Sequence, residues 1–466
     1  GGALFFLAAY VFIVAKHLAY PYEIEWMEGG VVDAVHHILG PGRLYEAPTV
    51  EYTPFIYAPL FFWVSAALSA VLGEGLFTLR LLSFVCSLGA TALVAVLVHK
   101  ETRSALFSFL AAALFLATYR AGIGFLDLAR VDSMFVLLLL AMVYVLRWYP
   151  SRRGQIAAAA LGALAFLTKQ SAVFVVGALA FGHLAFERRR GLPFALAAPA
   201  FGALAFLALN VFYGGWAYYY LFWIPRQHPS HWEEAYLFWT DDLLRPLSIV
   251  ALAALAYVAL GEGKGRRVYG AALVGALVMG VQGRVHAGGW ANVEIPLFAV
   301  LAVTGSIGLH TFAERAAQGR GRAVALAAVA AQLAMLAYDP RKSVPTIADR
   351  AAGDQLLESL RKVDGPVFLP AHGDLLVRAG KEPIAQEMAM NDVIGIGGGR
   401  PGAALRKELL ESFKHRRYDV VVLDTEFMKR EVEQSYKRKR DVFTSRDVFF
   451  TISGMRTRPR TWYVPK

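Results

Sequence analysis

The chain is poor in cysteine and in charge. Its one cysteine, Cys86, lies inside an apolar block, which excludes an intrachain disulfide and a metal–thiolate cluster. Charged residues are 18% of the 466, against about 25% in soluble domains. That scarcity excludes an ordinary soluble enzyme of this size. No internal repeat of fixed period is present. The glycine-rich stretch IGIGGGRPG, within Asn391–Gly402, has no strand before it at dinucleotide-binding spacing. No nucleic-acid motif accompanies the formal net charge of +11.

What is abundant is apolar sequence, 57% of residues, gathered in blocks close to the roughly 20 residues that cross a bilayer. They run over 3–19, 78–98, 104–119, 133–148, 155–168, 171–186, 192–213, 244–260, 268–282, 294–311 and 323–338. The first is read as a spanning helix rather than a cleaved signal, because no small-residue cleavage site follows. Basic clusters occupy every second connection: Lys100/Arg103, Arg147/Arg152/Arg153, Arg188–Arg190, Lys264/Arg266/Arg267 and Arg315/Arg320/Arg322. By the positive-inside rule these face the cytoplasm. The alternation holds only if a further block, 55–72, lies in the outer interface without crossing. The expectation is a polytopic α-helical membrane protein of about eleven spans. Its N-terminus is cytoplasmic, and the tail from 339 is a small α/β domain outside. In that tail YDVVVLD reads as a buried strand and 402–416 as a helix. The basic stretch Lys429–Arg446 reads as a solvated helix face or an anion-binding surface. Ala- and Gly-rich composition with compact loops favours a bacterial plasma membrane.

Ionisable residues crowd the outer connections. The first holds Glu23, Glu25, Glu28, Asp33, Glu46 and Glu51. Glu25 and Glu28 are three apart, on one face of a helical turn, so either suits a general base; a solvated acidic loop is the plain alternative. Asp127 and Asp132 lie at the mouth of a later span, where Asp132 also suits the helix dipole. Lys169, between two blocks, is either a snorkelling lysine or a phosphate contact. The connection GRVHAGGWANVEIP brings Arg284, His286, Trp290 and Asn292 to the same side. Its arginine suits bidentate phosphate binding. His228 and His231 lack a clear third metal ligand.

These stretches together resemble the GT-C membrane glycosyltransferases, the group of the aminoarabinose transferase of lipid A and the protein O-mannosyltransferases. The likeness rests on EIEWMEGG with GRLYE and YTPFIYAPLFF, on ARVDS, and on TKQSA with RVHAGGWANVEIP. The departures are a Glu where the first-loop acid is usually Asp, and no paired Asp-Glu. The resemblance covers 1–338 and implies an inverting transferase using a polyprenyl-phosphate sugar. It implies Glu25 or Glu28 as base with Asp132 in support. Lys169, Arg284 and His286 would sit on the donor phosphate, and Tyr57, Asp127, Trp290 and Asn292 against substrate. No cofactor is required and a divalent metal is optional. Partners are the donor lipid, a glycan, lipid or protein acceptor, and membrane lipids. Two other readings compete: a non-catalytic accessory subunit of a membrane complex, and a lipid or sugar transporter.

Overall fold

A computed structural model describes residues 1–263, 265–316 and 320–466. Each apolar block is a helix. In chain order these begin with α1 (Gly2–Leu18), then α2 (Glu28–Leu39) and α3 (Leu60–Leu72) in the first connection. There follow α4 (Leu76–Thr102), α5 (Ala105–Ala117), α6 (Asp132–Trp148), α7 (Arg152–Thr168), α8 (Ala172–Glu187) and α9 (Leu192–Phe212). The remaining bundle helices are Arg245–Leu260, Gly265–Val285, Ile295–Arg315 and Arg320–Met335. Lys264, placed by charge in an inner basic cluster, lies outside the described residues.

Among the described residues, five helices are long and apolar enough to cross a membrane, or six if a pair bent by 52° is one span. Shorter apolar helices, α1, α3 and α5, pack with them. Helix length thus supports fewer crossings than the eleven inferred from charge alternation. The block 55–72 gives only the thirteen-residue α3, about 20 Å long against a hydrocarbon core of about 30 Å. Its prolines, Pro54 and Pro59, keep the preceding residues out of the helix. The chain is an integral membrane protein by its apolar helices and fold.

Beyond the bundle the chain forms a four-stranded sheet in the order β1-β2-β4-β3, with β1 Val367–Phe368, β2 Val420–Leu423, β3 Tyr436–Asp441 and β4 Thr461–Pro465. β1 and β2 are parallel and the others antiparallel. YDVVVLD is indeed a strand, buried at all four residues of β2. The helix read at 402–416 is present as Gly399–Lys414. The KRKR stretch is not helical: it is edge strand β3, with Lys437–Asp441 exposed, and charge on an edge discourages pairing with other chains.

This sheet region packs directly on the first connection. Ile24 O accepts from Ile452 N (2.9 Å) and Ser453 N (3.0 Å), and Ala385 N donates to Val50 O (2.8 Å). Tyr22 stacks edge-on against Phe449, and its hydroxyl donates to Asp354 Oδ1 (2.5 Å). The regions approach closely at Gly29 and Gly373: a Cβ on Gly29 would lie 2.6 Å from Asp374 Oδ1, and one on Gly373 2.1 Å from Asp33 Oδ2, so a larger residue at either would force those carboxylates to shift.

Candidate functional site

A cavity of about 380 Å³ opens where the first connection, one end of the bundle helices and the Glu387–Gly395 helix converge. One side is apolar, formed by Phe166, Val173, Phe174, Leu221, Phe222 and Met279; the other carries Glu25, Tyr57, Arg130, Lys169, His286 and Asp392. Leu221 and Phe222 belong to a π-helical turn, Tyr219–Trp223, a local widening common where a helix serves a site.

Glu25 is held by the chain on both sides. It forms a parallel bridge with Ser453, and its Oε2 accepts from Arg130 Nη1 (2.8 Å) and Met27 N (3.2 Å). Oε1 has no hydrogen-bond partner among the described residues. Burial pushes its pKa up to about 7, Arg130 opposes that rise and the Glu28 charge adds to it. Arg130 comes from the turns between α5 and α6. Its Nη2 donates to Tyr57 OH (2.6 Å), and its guanidinium lies over the Tyr57 and Phe125 rings. Sequence reasoning quoted ARVDS without singling out this arginine; its partner is over a hundred residues away, and no local signal marks it.

Glu28 has a different environment. It is fully buried and absent from the cavity wall. Oε1 accepts from Arg80 Nε and Ala129 N, both at 2.8 Å. Oε2 accepts from Arg80 Nη2 (2.6 Å), Ile24 N (2.8 Å) and Glu25 N (3.2 Å). Burial raises its pKa, but these contacts outweigh burial and hold it below the usual carboxylate value. Every acceptor direction is used, and the residue knots α4 and the Thr118–Val131 turns to the start of α2.

Lys169 and Asn292 lie on the wall, and behind them Asp132 Oδ1 accepts from Lys169 Nζ (2.8 Å) and Asn292 Nδ2 (3.0 Å). Lys169 is therefore paired rather than snorkelling. Asp127 is away from the cavity, 2.7 Å from His17 Nδ1 and accepting from Tyr119 OH (3.0 Å). Arg284 is also away: it meets Asp242 (2.8 Å), Glu234 (3.0 Å) and Glu294 (3.4 Å), and donates to Gly289 O (2.9 Å). That carboxylate cage occupies the fork expected to take a phosphate. His286 lines the cavity with its ring nitrogens near Pro225 O (2.9 Å) and Ala287 O (3.0 Å). Trp290 lines it and is partly exposed. The double glycine beside it serves the chain itself: Gly288 has φ +82°, and a Cβ on Gly289 would lie 1.7 Å from Gly283 O.

The sheet region adds a buried network below the cavity. His372 bonds Glu23 through Nδ1 and Asp424 Oδ2 through Nε2 (2.9 Å). Burial pushes Glu23 up to about 8, with His372 acting against it. Burial alone would lower His372, but Glu23 and Asp424 raise it well above the ordinary value. On the cavity itself, Asp392 Oδ1 faces His228 Nε2 at 3.3 Å. Neither residue was a sequence candidate for this pairing.

Among the described residues, no group of three or more His, Cys, Asp or Glu side chains has metal-holding geometry. Glu25 and Asp132 are each tied to their own cation, and His231 meets Glu233 on the exposed surface at 3.3 Å. These side chains are not arranged to hold a divalent ion.

Residues 56–216 match the family model described as dolichyl-phosphate-mannose-protein mannosyltransferase. No curated protein sequence matches the chain. Among solved structures, ArnT from Cupriavidus metallidurans bound to undecaprenyl phosphate is similar at a TM-score of 0.62 and 12% identity, over 99% of this chain and 97% of that one. Its apo form gives 0.63 at 12% identity with the same coverage. The archaeal oligosaccharyltransferase AglB from Archaeoglobus fulgidus, in complex with an inhibitory peptide and a dolichol-phosphate, gives 0.52 at 13% identity, over 91% of this chain and 70% of that one. The chain has the GT-C glycosyltransferase fold.

Proposed function

We propose that this chain is an inverting membrane glycosyltransferase that moves a sugar from a polyprenyl-phosphate donor to an acceptor hydroxyl or amine. The observation that carries the reading is Glu25: of the two first-loop candidates it alone lines the cavity, with one oxygen free and a pKa near neutrality. A general base works best when its pKa lies near the working pH. The solved neighbours with bound undecaprenyl phosphate and dolichol-phosphate support the donor class.

In this reading the lipid lies against the Phe174, Phe222 and Met279 side. The phosphate meets Lys169 and Arg130, with His286 within the same wall. Glu25 Oε1 takes the acceptor proton as the acceptor oxygen or nitrogen bonds to the anomeric carbon. The bond from that carbon to the phosphate oxygen breaks, and its electron pair leaves with the polyprenyl phosphate. The two cations stabilise the charge that develops there. Asp132 orients Lys169 and Asn292. Tyr57 and Trp290 offer aromatic faces to a sugar.

The charge alternation supports eleven crossings with a cytoplasmic N-terminus and an outer tail; the composition shift near 339 supports residues 339–466 as an α/β domain on a catalytic region of 1–338, and the Ala- and Gly-rich composition with compact loops supports a bacterial plasma membrane. The test is transfer from radiolabelled polyprenyl-phosphate sugars to membrane extract in nanodiscs. Transfer lost in Glu25→Gln with the fold intact supports the enzyme. Neither transfer nor donor binding from any donor supports the accessory-subunit reading instead.

A further inference from the structure

Two carboxylates line the cavity among the described residues, Glu25 and Asp392. The first has a role above; the second comes from the opposite end of the chain. Asp392 sits on the Glu387–Gly395 helix, and that helix is fixed from several sides. Gln386 Nε2 donates to Trp26 O (3.0 Å), Glu387 N to Pro370 O (2.8 Å), and Thr425 Oγ1 to Glu387 Oε1 (2.6 Å). Met388, on the same helix, lines the cavity with Gly288.

The carboxylate so placed is under-used. Asp392 is 2% exposed; its sealed Oδ1 faces His228 Nε2 at 3.3 Å, while its Oδ2 has no hydrogen-bond partner among the described residues. His228 is itself held, with Nδ1 3.3 Å from Ala287 O and its ring 4.7 Å from that of His286. A carboxylate oxygen left without a partner on a cavity wall is costly until a donor meets it. Arg130 and Lys169 donate to Glu25 and Asp132 rather than to Asp392. The same cavity is lined by the aromatic surfaces of Tyr57 and Trp290 and by His286. A carboxylate acceptor beside aromatic faces suits a polyhydroxylated ring, whose hydroxyls donate while its C–H face stacks.

We infer that Asp392 is a specificity-determining residue: its carboxylate, set in the wall by the Glu387–Gly395 helix and flanked by His228, accepts a hydrogen bond from a hydroxyl of a substrate sugar. The inference rests on the transferase reading and adds what that reading leaves open, namely which residue reads the sugar. The sugar is that of the donor lipid or of a glycan acceptor; both present the same hydroxyl chemistry.

The experiment compares wild type, Asp392→Asn and Asp392→Ala in nanodiscs. Binding of undecaprenyl phosphate is measured beside its mannosyl, glucosyl and arabinosyl phosphodiesters by microscale thermophoresis. Transfer to membrane extract is followed in parallel, and melting temperature reports the fold. In Asp392→Ala the sugar lipid that wild type prefers should weaken by about 10- to 100-fold, the range for a hydrogen bond to a charged group. Bare undecaprenyl phosphate should stay within about threefold. Sugar-lipid affinity held constant with a tenfold rise in acceptor KM assigns the hydroxyl to the acceptor. Equal loss of sugar lipid and bare lipid in both variants overturns the inference, because Asp392 would then only support the wall. Wild-type constants throughout, with transfer intact, overturn it and leave the transferase standing. Wild type that neither transfers nor distinguishes sugar lipids from bare lipid phosphate overturns both.

Discussion

Replacing Glu25 and Glu28 by glutamine separates chemistry from structure at two residues three apart. Glu25→Gln keeps an amide oxygen for Arg130 and removes the proton acceptor, so turnover should fall by about 10²- to 10⁴-fold while the protein stays folded. The wild-type profile carries its own magnitude. With Glu25 near 7, about a tenth is ionised at pH 6 and about nine-tenths at pH 8, so kcat/KM should rise roughly tenfold between them. The residual rate of Glu25→Gln should lack that limb. Glu28→Gln fails differently. It removes one member of a fully buried ion pair with Arg80 and weakens contacts from three backbone amides. Breaking such a pair costs about 3–5 kcal/mol, so melting temperature and yield should drop before any rate is read. The assay is transfer from pH 5.5 to 8.5 with melting curves on the same samples. A flat wild-type profile, or a folded Glu25→Gln retaining more than about a tenth of the rate, refutes Glu25 as the base.

Arg130→Ala removes the charge that holds Glu25 down, so the rising limb of kcat/KM should move to higher pH and the rate at pH 7 should fall. Arg284→Ala opens its carboxylate cage; melting temperature should drop with affinity for undecaprenyl phosphate within about threefold, and a larger affinity loss would restore it as a phosphate ligand. In the His372 network both Glu23 and His372 have raised folded-state values. Stability from a raised group is complete below its unfolded value and lost as pH rises through the folded one. Wild-type melting temperature should therefore fall as pH rises through about 8, and His372→Gln should be lower throughout with a shallower slope.

The apolar blocks were legible because hydrophobic burial and bilayer length act locally along the chain, and each block became a helix. Span number was less so, since charge alternation counts sides while helix length counts residues. α5, at thirteen residues, satisfies the first and not the second. Glu25 and Lys169 reached the cavity as the sequence suggested. Glu28 could not be separated from Glu25, because the difference is made by Arg80, 52 positions on. Arg284 has a sound phosphate-binding composition around it, but Asp242 and Glu234 arrive from another connection and take its fork. Asp392 carries no local signal in the sequence; its place on the cavity wall comes from where its helix docks.

The joining of Ile24 to Ile452 and Ser453, with Gly454 against Glu25, has a consequence for biosynthesis. A ribosome makes the candidate base long before the backbone that walls it, which is complete only after residue 454. Throughout that interval the wall that buries Glu25, and so tunes it, is incomplete. On the proposed reading, chemical competence thus arrives late, when these two distant segments meet. Any interruption of translation before residue 452 yields a bundle that can embed in lipid yet has no finished reaction chamber.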